Sequence, residues 1–128
     1  MKKNVLVVDD DYFIRSLLFL LLKEKFNVVT AENGLEAMLA LDKEISPDLI
    51  ITDVDMPEID GFHLIELLKK SGFYREVPTI VLTGHDDPAI VDKFKDSGAI
   101  KFITKPFNPP ELLTLITGLL SENEVLSH

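Results

Sequence analysis

Residues 48–61 read DLIITDVDMPEIDG. The apolar run from Leu49 to Ile51 is bounded by Pro47 on one side and by acids and Pro57 on the other, which predicts a short strand buried on both faces. Asp53 stands where that strand runs out. A carboxylate at the carboxyl end of a buried strand, beside a loop, is partly desolvated yet reachable. It suits an acid that binds a cation or attacks an electrophile.

Working outward, the same layout recurs. Val5 to Val8 form a short, largely β-branched run that stops at Asp9, Asp10 and Asp11, a buried first strand followed by a helix start. Residues 12–26 predict a helix with Ile14, Leu17, Leu18 and Leu21 on the core face and Arg15, Ser16 and Lys23 opposite. Phe19 falls on the polar side, where an aromatic is either a harmless exposed side chain or part of a partner-docking patch. Residues 27–31 predict a second strand and 35–44 a second helix, with Leu35, Met38, Leu39 and Leu41 apolar. After the central strand, Met56, Pro57 and Gly61 bracket a loop. A third helix over 62–71 then carries Leu64, Ile65, Leu67 and Leu68, with Gly72 as its stop.

Residues 77–82 predict a fourth strand, ending in Thr83 and Gly84, and 86–96 a mostly polar fourth helix offering Ile90, Val91 and Phe94 to the core. A fifth strand over 100–103 ends in Thr104, Lys105 and Pro106. Pro109 and Pro110 suit the first turn of a last helix reaching about Leu120, and residues 122–128 are expected to fray beyond a domain spanning 1–121. Strand and helix alternate five times, with short connections and buried strands, so the fold class is α/β with a parallel sheet covered on both faces.

Composition bounds the function. With 128 residues, 46% of them hydrophobic, the chain suffices for one domain with a full core. It has no cysteine, which excludes disulfides, thiolate metal sites and cysteine nucleophiles. A net charge of −9 argues against a nonspecific grip on nucleic acid or anionic membrane and favours a cationic partner or a metal. No apolar run approaches the ~20 residues of a membrane span, and the start MKKN lacks a signal peptide pattern, so the cytoplasm is expected.

The strand ends supply Asp9 and Asp10, Asp53, Thr83 and Lys105. Alone, each has a plain explanation: an Asp after a strand usually caps a helix, a Thr pairs locally, and a Lys before Pro lies on the surface. On one sheet edge they make a different object. Carboxylates gathered in a small volume repel one another and call for a cation. Oxygen donors without nitrogen or sulfur, with room for water, suit Mg2+. A cation, an ammonium and a hydroxyl around one free carboxylate form a pocket for a phosphoryl group being transferred to that carboxylate.

The pieces VLVVDDD (5–11), IITDVDMPEIDG (50–61), VLTG (81–84) and FITKPF (102–107), in this order and spacing, resemble the receiver domain of two-component response regulators. The resemblance covers roughly residues 4–120 and implies a CheY-like, flavodoxin-like (βα)5 fold. Its parallel sheet would have the second strand at one edge, then the first, third, fourth and fifth. It also implies that Asp53 is the phosphoacceptor, Asp10 a direct Mg2+ ligand, and Asp9 a ligand acting largely through water. Asp55 would lend its main-chain carbonyl to the metal. By the same likeness Thr83 is the switch hydroxyl, Lys105 the cation paired with the phosphoryl group, and Phe102 the aromatic switch. The peptide before Pro106 would be cis.

Asp55 and His85 match positions that vary in relatives and tune water access to the phosphoryl group, although His85 also reads as an exposed loop-tip histidine. The implied function is a signalling phosphoacceptor that assists its own phosphorylation and dephosphorylation, not an enzyme. It would take a phosphoryl group from a sensor histidine kinase or histidine phosphotransfer protein. The resulting change is expected on the face made by the fourth helix, fifth strand and fifth helix, acting on a downstream protein or output domain. The chain would be a monomer or a phosphorylation-dependent homodimer. Two other readings compete: a phosphorylation-independent interaction module of the same fold, and a small DxD aspartyl-phosphate phosphatase suggested by Asp53-Val54-Asp55.

Overall fold

The computed structural model describes residues 2–43, 46–54, 61–84, 92, 93 and 96–126. In chain order the elements are β1 (Lys3–Val8), α1 (Tyr12–Leu22), β2 (Phe26–Ala31), α2 (Gly34–Lys43) and β3 (Leu49–Asp53). They continue with α3 (Gly61–Lys70), β4 (Thr79–Thr83), β5 (Lys101–Thr104) and α4 (Pro109–Leu126). The strands form one five-stranded sheet in the order β2-β1-β3-β4-β5, all pairs parallel. Strand alternation divides the core in two. Val5, Val7, Leu49 and Ile51 pack with α1 and α4 on one face, while Leu6, Val8 and Ile50 pack with α2 and α3 on the other. β3 and β4 are buried along their whole length, as strands covered on both faces require.

The expected fold class and strand order hold, but on each of the first three helices part of the expected apolar set faces solvent. On α1 the fully buried residues are Leu18 and Leu22, with Ile14 and Leu21 packed beside them; Leu17, expected in the core, is 40% exposed. Leu18 and Leu22 lie four apart and define the line of contact, so Leu17, about 100° round from Leu18, swings out. Arg15 is drawn inward instead, its side chain 14% exposed. The helix also stops earlier than expected. Lys23 caps it, and Phe26 opens β2 opposite Lys3 of β1 and is buried in the core.

In α2, Ala37 and Leu41 are buried while Leu35 and Leu39 are exposed, and in α3 Leu67 is exposed while Leu64, Ile65 and Leu68 are buried. Helices this apolar offer more than one plausible stripe, and the sheet selects one. β4 begins at Thr79, after Pro78, whose missing N–H suits a position outside the ladder. α4 runs on to Leu126, past Leu120, where the last helix is expected to end. The segment SENEVL contains no glycine or proline to end it. Of the expected helix over 86–96, Asp92, Lys93 and Asp96 are described and helical; Ile90, Val91 and Phe94 lie outside the described residues. Among the described residues no helix is long and apolar enough to cross a membrane.

Candidate functional site

The site is built on the rim where β1, β3, β4 and β5 end, in that order across the sheet. β1 ends at Val8, and the Asp9 N–H still donates to the Ala31 carbonyl of β2 (3.1 Å), which fixes the first acid at the sheet edge. Asp9 is fully buried. Its Oδ1 accepts the Asp11 N–H (2.9 Å), its Oδ2 accepts Lys105 Nζ (3.1 Å), and its main-chain oxygen accepts Arg15 Nη1 (2.8 Å). Asp10 is exposed beside it. Asp11 has a separate task as the N-cap of α1, its Oδ1 accepting the Phe13 N–H at 2.8 Å.

Asp53 is the last residue of β3 and only 4% exposed. Its Oδ1 accepts the Val54 N–H (2.9 Å) and pairs with Lys105 Nζ (3.2 Å). Lys105 follows β5 directly. Its N–H donates to the Thr83 carbonyl (2.7 Å), and the Lys105–Pro106 peptide is cis, as the resemblance implied. One ammonium thus bridges two buried carboxylates while its backbone is tied to the end of β4.

The electrostatics follow from this crowding. Burial, and then the Asp9 charge, push the Asp53 carboxyl up to about 6, against the pull of Lys105. Burial likewise holds the Asp9 carboxyl above its ordinary value, although the Asp11 N–H and Lys105 oppose it. For Lys105, burial works to lower the ammonium, but the charges of Asp53 and Asp9 outweigh it and leave the group above its usual range. Carboxylate oxygens of Asp9, Asp10 and Asp53 all lie within 4.8 Å of one another. With Lys105 as their single paired ammonium among the described residues, three such groups retain excess negative charge. An all-oxygen donor set with that charge fits a hard divalent cation such as Mg2+.

The structure therefore brings together Asp9, Asp10, Asp53 and Lys105. Thr83 is buried at the end of β4, one residue beyond Leu82, the register partner of Asp53. Phe102 sits on β5 opposite Val81, half-buried against the cluster of Val54, Ile65 and Val81. Asp55 and His85 lie outside the described residues. Two contributors were not found in the sequence. Arg15 looked like a solvent-side charge, yet it holds the Asp9 carbonyl and pairs with Glu32 at 3.5 Å. Gly61 looked like a loop marker, yet it opens α3 against β3. A Cβ there would lie 2.5 Å from the Asp53 main-chain oxygen and 2.9 Å from Val54 Cα. The glycine in IDG was the available signal, since close backbone approach is a standard reason for one.

Comparison with known proteins agrees with this geometry. The family model described as the response regulator receiver domain matches residues 5–117. Chemotaxis protein CheY of Halobacterium salinarum is 37% identical over 122 residues, covering 94% of this chain and 99% of that protein. A probable transcriptional regulator of Pyropia yezoensis is 36% identical over 121 residues, covering 94% of this chain and 54% of that protein, so this chain spans about half its length. Among solved structures, the signal receiver domain of a signal transduction histidine kinase from Syntrophus aciditrophicus has a TM-score of 0.86 and 37% identity, covering 94% of this chain and 91% of that one. With its match running from the first strand into the last helix, the chain belongs to the CheY-like receiver domains of two-component response regulators.

Proposed function

We propose that Asp53 accepts a phosphoryl group from a phosphohistidine of a sensor kinase or histidine phosphotransfer protein, and that the domain passes this event on as a change of surface. The observation that carries the reading is the single Lys105 ammonium held at 3.1 Å from Asp9 and 3.2 Å from Asp53 beside a third carboxylate. Both contacts to the Asp53 carboxylate among the described residues go to Oδ1, which leaves Oδ2 to attack. The Oδ2–phosphorus bond forms as the phosphorus–nitrogen bond breaks, and the electron pair leaves on the donor imidazole. Asp9, Asp10 and Asp53, with the Asp55 carbonyl that the family resemblance adds, would hold Mg2+. When bound, that ion supplies positive charge opposite the phosphoryl oxygens.

Lys105 stabilises the same oxygens from the protein side, and burial of Asp53 keeps competing water away until the donor arrives. Thr83 offers its hydroxyl to the new anion, and Phe102 moves into the space released, which alters the face around β5 and α4. His85 and Asp55 tune hydrolysis of the acyl phosphate. The cytoplasm is the compartment this partnership requires. Incubation with acetyl phosphate and Mg2+ should yield an acid-stable, base-labile adduct that is absent from Asp53→Asn. An adduct that persists in that variant would refute the assignment.

A further inference from the structure

Phe19, singled out by its position on the polar side of α1, has company. Tyr12 is 68%, Phe19 41% and Leu20 59% exposed, all on the side of α1 that turns toward β2, one of the two edge strands of the sheet. They form the apolar wall of a cleft of about 520 Å3, whose other lining includes Thr30, Glu32 and Glu36. Exposed apolar groups gathered in one concavity mark a contact surface.

We propose that this cleft docks a segment of a partner protein that presents a large apolar side chain beside a lysine or arginine. Charge selects that occupant. The lip of the cleft carries the exposed carboxylates of Glu32 and Glu36; Arg15, 14% exposed, pairs with Glu32, which leaves the lip one net negative charge. A second copy would bring another net charge of −9 to an acidic lip, and nucleic acid would be repelled for the same reason. An apolar wall with an acidic lip is satisfied by an apolar anchor flanked by a cation. The cleft is lined from α1, β2 and α2, away from Thr83, Phe102 and Lys105. The cleft reaches the acidic site through Arg15, which also holds the Asp9 carbonyl, and docking here goes beyond the function proposed above.

The test uses the full chain, 15N-labelled, and two synthetic amphipathic helical peptides with the same Leu/Phe seam, one flanked by lysines and one by glutamates. The lysine peptide is expected to shift the amides of Ser16, Phe19, Leu20, Thr30 and Glu32, and the glutamate peptide to leave them in place. Phe19→Gln, and separately the pair Glu32→Gln with Glu36→Gln, should each weaken binding by about three- to tenfold. Asp53→Asn should bind like the parent. Leu20→Gln serves if thermal melts show that Phe19→Gln is unfolded. Equal binding of both peptides, or shifts confined to the surroundings of Asp10 and Asp53, would overturn the proposal. So would broadening of the cleft amides with chain concentration in the absence of peptide, which would assign the cleft to a second copy.

Discussion

Asp53 is held in a position where its charge is unwelcome until something arrives to neutralise it. Because burial and Asp9 raise its proton affinity to about 6, the folded protein binds more protons than the unfolded chain between roughly pH 4 and pH 6. Stability from this group is therefore complete at the acid end of that window and is lost as pH rises through it, and Asp9 shifts in the same direction. Metal-free protein should melt at a lower temperature at about pH 7 than at about pH 5, opposite to ordinary acid denaturation. Thermal melts in chelator at the two pH values check this. Asp53→Asn should remove much of the slope and, at neutral pH without metal, raise stability by roughly 1–3 kcal/mol while abolishing phosphorylation. The acids and Lys105 were legible in the sequence because each directly follows an apolar strand. Arg15 was not, since its value comes from reaching the Asp9 carbonyl and Glu32, groups outside its own helix.

The elements were legible in kind and order from their punctuation: Asp11 caps α1, Gly72 follows α3, and Pro109 opens α4. Which stripe of each helix meets the sheet was not, because α1 is leucine-rich on adjacent faces and only packing distinguishes Leu17 from Leu18. Leu18→Ala should cost roughly 2–5 kcal/mol and Leu17→Ala less than about 1 kcal/mol, measured by urea denaturation. Gly61 carries a similar lesson at the start of α3, where the helix backbone rests on the end of β3. Gly61→Ala must push α3 away from Asp53, so a loss of roughly 1–3 kcal/mol is expected. Slower labelling by acetyl phosphate should accompany it, because the added Cβ would press on the main-chain carbonyl of Asp53, the proposed acceptor.

Across the whole molecule, the sheet order places β1, β3 and β4 at the centre and brings acids distant in sequence to one rim. A metal that binds only this folded rim must stabilise the fold. Magnesium at about a hundred times its dissociation constant should add ~2.7 kcal/mol at neutral pH, reversed by chelator and blunted in Asp10→Asn. The outer edge differs from the centre. β5 has four residues, is exposed at both ends, and pairs on one side only, with β4. Yet Phe102 belongs to it, and Lys105 follows directly from it. The ammonium that quiets the acids is thus suspended from the least anchored ribbon of the sheet. Peeling that ribbon away would strip Asp9 and Asp53 of their shared counter-charge without unravelling the interior. Deuterium should consequently enter the amides of Lys101 to Thr104 long before those of Leu49 to Asp53, so that the sheet's margin and its acidic rim loosen as one event.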